Sequence, residues 1–321
     1  TTEAHLPVVW ETAGGEVIRL AITGLQGGHS GVEINKQSAN ASKVLGRVLN
    51  ALANDFDMKL STLSGGLKDN AIPTDAEAVV IFSDTDMSDI NTPGHADIPA
   101  NSAHASLQDL ISKWNQIIRH EYTHTDPDIC ITLEPVDLPA ATMTDTSTHT
   151  VIDVLMTYPN GVRKMSKDIA GLVQTSLNLG ILSTIKPDDQ STNGMVSFKS
   201  SVRSSIGSEK DALLNSLKSL ATLAGGTLTV TGDYPAWEYR EDSPLRDLMV
   251  KIFKQQYGKE PVIQALHAGV ECGIFASKLP GLDCVSFGPD MDDIHTTNES
   301  MNVESVRRTW KYTLKILKEL K

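Results

Sequence analysis

Val17-Ile18-Arg19-Leu20-Ala21-Ile22-Thr23-Gly24-Leu25-Gln26-Gly27-Gly28-His29-Ser30-Gly31 reads as a strand that runs into a glycine-rich turn. The strand is Val17–Thr23 and the turn is Gly24–Gly31. A helix follows, because Ala41, Val44, Leu45, Val48, Leu49 and Leu52 recur with helical spacing on one face. Met58–Ser64 and Ala76–Ser83 are strand-like and flank the loop Gly65-Gly66-Leu67-Lys68-Asp69-Asn70-Ala71-Ile72-Pro73. A second helical stripe carries Leu107, Leu110, Ile111, Trp114, Ile117 and Ile118, and Ile129–Glu134 closes the series as a strand. The order is βαββαβ, the split arrangement of a ferredoxin-like unit.

Further on, Thr150–Thr157 is helical, and Ser176–Ile185 and Met195–Arg203 look like strands. Asp211–Ala224 is a helix with Leu213, Leu217, Leu220, Ala221 and Ala224 on one face, and Thr227–Thr231 is a closing strand. Everything up to Thr231 thus reads as one elongated sheet covered by helices, with room for an internal duplication of structure. Tyr234-Pro235-Ala236-Trp237 marks a break. Beyond it, Ser243 and Pro244 start a helix that runs to Tyr257, the first as N-cap and the second at N1. A short strand (Val262–Ala265), a turn (His267–Gly273) opening another helix, and a strand (Cys284–Phe287) come next. The last helix is expected to turn Val303, Val306, Trp310, Leu314 and Leu317 inward, while Lys311, Lys315, Lys318 and Lys321 suit its C-terminal dipole. Alternating helices and strands over 235–321 imply a parallel α/β layer. With two short strands it is half of one.

A chain of 321 residues suggests about two domains, at roughly 150 residues each. No run approaches about 18 apolar residues, so no membrane span is expected. The 28 basic against 40 acidic residues give a net charge of −12, a field that repels phosphate backbones and argues against nucleic acid. Cys130, Cys272 and Cys284 are odd in number and form no C-x-x-C pair, which points to a reducing compartment and away from a zinc-finger framework. The cytoplasm is the expected location. The sequence begins Thr1-Thr2, and a fragment of a longer chain is the expectation.

His120-Glu121-Tyr122-Thr123-His124 fits the zinc pattern H-E-x-x-H, which needs a continuous, partly buried helix. Here the buried stripe passes to Glu121 and Tyr122, both histidines share the polar side, and Asp126-Pro127 ends the helix. It reads as a solvated helix end. The turn around His29 has three readings: a tight turn whose glycines permit positive φ, a cradle for an anion, or a loop that presents His29 to a developing oxyanion. Arg203 is either a solvated strand end or a guanidinium fork for a carboxylate. Asn70 is by default a turn residue. His295, in a loop after a buried strand, is a surface residue or a metal ligand, since such loops are where α/β folds place ligands.

Taken in order, Gly27-Gly28-His29-Ser30-Gly31, Asp69-Asn70-Ala71-Ile72-Pro73, Ser176-Leu177-Asn178-Leu179-Gly180, Ser201-Val202-Arg203-Ser204, His267-Ala268-Gly269-Val270-Glu271-Cys272-Gly273 and Gly288-Pro289 followed by His295 resemble the bacterial aminoacyl-histidine dipeptidases. That group is related to the carnosinases within the two-zinc peptidases. The resemblance runs from Val17 to the C-terminus, and the His267–Gly273 string is its most specific piece.

The resemblance implies an α/β protein in which a parallel-sheet catalytic domain is interrupted by a large α+β lid. Residues 1–15 would be the end of an N-terminal catalytic segment, 16–234 the lid and dimerisation domain, and 235–321 the returning half of the catalytic domain. It implies two zinc ions per complete site, with His295 as a zinc ligand, and His29 as the lid histidine that helps hold the oxyanion. Arg203, Asn70 and Asn178 would lie near the terminal carboxylate of a dipeptide, and Glu271 in the turn that lines the substrate pocket. The implied activity is hydrolysis of Xaa-His and other unblocked dipeptides by a homodimer. A non-catalytic lid module or a deacylase of the same clan are the alternatives. The family's H-x-D motif, bridging aspartate and Glu-Glu pair have no match here, so the 321 residues alone are expected to be inactive. Ile294-His295-Thr296-Thr297-Asn298-Glu299 also stands where relatives read Pro-His-Ser-Pro-Asp-Glu.

Overall fold

The structure, a computed structural model, describes residues 1–83, 107–186, 193–263, 271–292 and 298–321. Its Cα packing divides the chain into two compact units. The first is Thr1–Met165, Val173–Ser204 and Ser208–Asp233, and the second is Ser166–Leu172, Ser205–Gly207 and Tyr234–Lys321. No described helix is long and apolar enough to cross a membrane.

The first unit is built on one mixed-length antiparallel sheet. Its strands are β1 (Thr2–Thr12), β2 (Glu16–Thr23), β4 (Met58–Gly65), β6 (Ala76–Phe82), β7 (Cys130–Pro135), β10 (Val173–Ile185), β11 (Asn193–Ser204) and β12 (Thr227–Val230), in the order β12-β1-β11-β10-β4-β6-β2-β7. Two short strands join at the side, β8 (Ala141–Met143) on β1 and β9 (Gly161–Met165) on β10. The expected βαββαβ unit is the half β4-β6-β2-β7, all antiparallel, with α1 (Ala41–Asp55) and α2 (Leu107–Glu121) as its crossovers. The halves meet at a narrow seam, where β10 pairs with β4 only at Leu182↔Gly65 and Ser183↔Ser64. Thr184 reinforces it with its hydroxyl, which accepts from Leu63 N at 2.7 Å and donates to Leu63 O at 3.1 Å.

Periodicity explains the core. All six apolar stripe residues of α1 are buried, and so are Leu107, Leu110, Ile111 and Ile118 of α2. Asn40 caps α1 by accepting from Lys43 N at 3.2 Å. A third helix, α3 (Asp145–Thr157), packs so closely on α1 that a β-carbon on Gly46 would stand 2.7 Å from Leu155 Cγ. Lys43 reaches across to the end of α3 and donates to the carbonyls of Leu155, Met156 and Tyr158. The helix α4 (Gly207–Leu223) buries Leu217 and Ala221 of its expected face.

Residues 1–15 carry an element where the sequence reading assigned only a trailing segment. Strand β1 pairs antiparallel with β11 from Thr2↔Ser200 to Val9↔Asn193, and it buries Ala4, Leu6 and Val8 in alternation. The cause is the period of two, which a strand with one buried face requires.

In the second unit, α5 (Pro244–Tyr257) starts as expected, with Ser243 Oγ accepting from Arg246 N at 3.1 Å. It packs on α7 (Val303–Glu319) through a small cluster of Met249, Ile252, Tyr312 and Ile316. Tyr312 donates from its hydroxyl to Met249 O at 2.7 Å. This corrects the expected inward face of the last helix. Val303, Val306, Trp310, Leu314 and Leu317 are all exposed, because the row holding Tyr312 and Ile316 is the one that meets α5. Cys284–Phe287 pairs with no strand among the described residues, so the parallel layer does not form within them. Val262 and Ile263 are irregular, and the rest of that expected strand lies outside the described residues. Here α6 (Glu271–Lys278) seats Gly273 against the Pro235 carbonyl, and a two-residue ladder pairs β13 (Met291–Asp292) with β14 (Ser300–Met301).

Candidate functional site

The glycine turn begins where β2 ends. Gly27 has φ +70°, and a β-carbon there would stand 2.6 Å from Thr74 Cγ2, so the turn needs glycine on both counts. It leads into β3 (Gly28–His29), which pairs antiparallel with β5 (Ala71–Ile72) as Gly28↔Ile72 and His29↔Ala71. Ser30 N then donates to Asn70 O at 2.9 Å. The two loops carrying His29 and Asn70 are therefore one backbone-paired assembly.

Three bonds fix His29. Its own N–H donates to Glu33 Oε2 at 2.7 Å, its carbonyl accepts from Glu33 N at 2.9 Å, and its Nδ1 accepts from Gly31 N at 3.0 Å. The last bond sets the tautomer: a neutral imidazole that accepts at Nδ1 carries its proton on Nε2. The residue is exposed, and Nε2–H is the ring's remaining hydrogen-bond donor. Glu33, which the sequence reading did not single out, is held below the usual carboxylate range, first by Lys36 and then by the His29 amide. It stays an anion, and its carboxylate braces the loop.

Arg203 lies near the end of β11, opposite Ser176 of β10, and is half-buried. It converges with His29 on Gly31. A β-carbon built there would stand 2.8 Å from His29 Cε1, 3.1 Å from Nδ1 and 3.2 Å from Arg203 Cζ. An imidazole and a guanidinium thus both approach a backbone position that has no side chain. Beside them, Glu209 of α4 gathers the strand ends: its Oε2 accepts from Thr175 Oγ1 at 2.7 Å and from Gln174 Nε2 at 2.8 Å, and Lys164 pairs with Oε1. Thr175 pairs with Ser204, the residue after Arg203.

Asn178 and Asn70 belong to the loop assembly that carries His29. Asn178 is buried, and its Nδ2 donates to Asp69 O at 3.0 Å and Ala71 O at 2.7 Å, so its amide holds the 69–72 loop from inside. Asn70 has an exposed side chain. Glu271 opens α6 in the second unit and is exposed. His295 and the turn 267–270 lie outside the described residues. His120 and His124 are exposed at and beyond the end of α2, while Glu121 holds Arg47 in a two-bond pair at 2.6 and 2.8 Å. Among the described residues, no group of three or more His, Cys, Asp or Glu comes together to hold a metal ion.

The sequence model of Peptidase family M20/M25/M40 matches residues 15–319. The cytosol non-specific dipeptidase of Escherichia coli (strain K12) is 33% identical over 320 residues, which is 100% of this chain and 61% of that protein. The crystal structure of aminoacylhistidine dipeptidase from Vibrio alginolyticus superposes with a TM-score of 0.84 at 28% identity, covering 99% of this chain and 61% of that one. The chain spans about six tenths of the length of either.

Proposed function

The chain belongs to Peptidase family M20/M25/M40, and on that premise we propose that the protein is a cytoplasmic dipeptidase acting on unblocked dipeptides, Xaa-His among them. The observation that carries this reading is the convergence of His29 and Arg203 on Gly31. A free dipeptide presents a terminal carboxylate and, during hydrolysis, a carbonyl oxygen that gains negative charge. The guanidinium fork of Arg203 suits the first, since paired N–H groups match a carboxylate's two oxygens. The Nε2–H of His29 suits the second, because a fixed donor aimed at developing charge stabilises the transition state more than the ground state. Holding both beside one residue limits the distance between carboxylate and scissile bond, and in this reading that limit selects dipeptides over longer peptides.

In this reading residues 16–234, with β1 added to their sheet, form the lid and dimerisation domain of a homodimer, and 235–321 belong to the catalytic domain. Asn178 and Asn70 hold the lid loops, and Glu271 borders the substrate pocket. The two zinc ions that the resemblance implies do not fit the described residues, which bring no ligand set together. His295, outside those residues, is the one zinc ligand this reading assigns to the chain.

The test is a substrate panel on the full-length purified protein with its metal content measured. Hydrolysis of Xaa-His and other free dipeptides, with little action on N-acyl amino acids, is the expected result. The reverse preference would make it a deacylase, and no turnover of either class would leave a non-catalytic module.

A further inference from the structure

The His29 loop leaves the sheet at Gln26 and returns to the start of α1 at Ala39. A single side chain grips both points. Asp126 is completely buried, its Oδ1 accepts from Gln26 N at 2.9 Å, and its Oδ2 accepts from Ala39 N at 2.8 Å. The sequence reads Asp126 as the end of a helix, and its backbone does turn there: Asp126 N donates to Tyr122 O at 2.8 Å and Asp126 O accepts from Ile129 N at 3.2 Å. The side chain points the other way, under the loop. The turn that carries it leads directly into β7, whose first residue Cys130 pairs with Thr23, the last residue of β2. The carboxylate therefore stands on the same rigid sheet edge from which the loop departs.

We propose that Asp126 is the positioning residue of the His29 loop: one buried carboxylate closes the segment from Gln26 to Ala39 into a ring and so fixes the direction of the His29 Nε2–H. A carboxylate suits this task because it has acceptor capacity on both oxygens and no proton to give. Bonds from N–H groups to an ionised acceptor are stronger than neutral ones, and a buried carboxylate that lost either partner would be left partly unsatisfied. Breaking one grip thus weakens the other. Between the grips, the loop is fastened by Glu33, by the short β3–β5 pairing with its Ser30–Asn70 bond, and by Ile34, which is buried against Ile72 and Val173. Ile34 shields His29 from the Ala39 end, so freedom at the Gln26 end is what would pass to His29. The proposal rests on reading His29 as a functional donor, and its physical part stands apart from that reading.

The experiment is amide hydrogen exchange on the wild-type protein and on Asp126→Asn and Asp126→Glu. Asparagine keeps the shape but turns a donor toward one of the two amides; glutamate keeps the charge at the wrong length. The informative amides are Ser30 and Gly31, which bond to Asn70 O and His29 Nδ1 and never touch Asp126. The expected result is a loss of protection of at least about tenfold, or about 1.4 kcal/mol, at Ser30 and Gly31 as well as at Gln26 and Ala39. Leu20 and Ile22 in β2 should stay as protected as in the wild type. Loss confined to Gln26 and Ala39 would overturn the proposal, since the grip would then be local. A parallel loss across β2, or failure of both variants to fold, would also overturn it, because Asp126 would then serve the core. Kinetics of the same variants in the full-length protein separate the two claims. A loosened loop with kcat down at least tenfold and KM little changed supports both, while a loosened loop with unchanged kcat retains Asp126 and removes the donor role of His29.

Discussion

Gly31→Ala should impair catalysis more than stability. The added β-carbon would stand 2.8 Å from His29 Cε1 and 3.2 Å from Arg203 Cζ, whereas carbon atoms rest at about 3.5–4.0 Å from one another. The imidazole must therefore retreat by roughly 0.7–1.2 Å and the guanidinium by roughly 0.3–0.8 Å to restore that spacing. Both atoms are at the far ends of side chains, and His29 is exposed, so the fold absorbs the change by rotating them. Gly31 is buried, and moving the imidazole gives up its bond from Gly31 N, so a cost of about 1 kcal/mol is expected. A misplacement of about 1 Å in a positioned group is worth up to 10²-fold in rate. The assay is dipeptide hydrolysis by the full-length protein, together with thermal unfolding. Expected are a kcat lowered by about 10–100-fold, a raised KM and a slightly lowered Tm. If kcat and KM both stay within about threefold of the wild type, well inside that range, His29 and Arg203 do not act from the positions described.

Two further predictions concern pH and packing. Burial pushes the Lys43 ammonium down to about 8, below its unfolded value of about 10.4. The folded state therefore binds fewer protons between those values, and stability from this group rises as pH goes from 8 toward 10.5. Urea unfolding at pH 7 and pH 10 should show that rise in the wild type and not in Lys43→Met, which should also lose about 2–3 kcal/mol at pH 7 by leaving the α3 carbonyls without a donor; equal pH dependence in both proteins would contradict it. Lys164, with Thr175 and Gln174, pulls the Glu209 carboxyl down to about 2. Its contribution is present above the unfolded value of about 4.3 and is lost as pH falls through 2. Thermal unfolding between pH 5 and pH 2 should therefore decline more steeply in the wild type than in Glu209→Gln, and parallel declines would show that the strand-end cluster does not depend on that charge.

How much of this was readable from residue order depends on the element. The βαββαβ half was readable because α1 and α2 each carry one uninterrupted apolar row, and burial follows that row residue by residue. Strand β1 escaped notice because His5 and Pro7, set between Ala4, Leu6 and Val8, hide a strand with one buried face. The last helix was misread for a different reason. It has two apolar rows, and only the position of α5 decides that Tyr312 and Ile316 are covered while Trp310 and Leu314 are not. At the candidate site, resemblance picked out His29 and Arg203, but spacing could not say that they converge on Gly31. Asn178 and Asp126 show the limit of reading polar residues by type. Both are buried and engaged with backbone groups far away in sequence, which no local pattern reveals.

The most direct test of the account is steady-state kinetics of His29→Ala and Arg203→Ala in the full-length protein, on one free dipeptide. A guanidinium paired with a carboxylate acts in ground and transition states alike, so Arg203→Ala should raise KM strongly with a smaller change in kcat. An oxyanion donor acts in the transition state, so His29→Ala should lower kcat by about 10²–10³ with KM little changed. If His29→Ala instead leaves kcat within about threefold, outside the range for a lost oxyanion donor, the lid histidine is structural and the central claim fails.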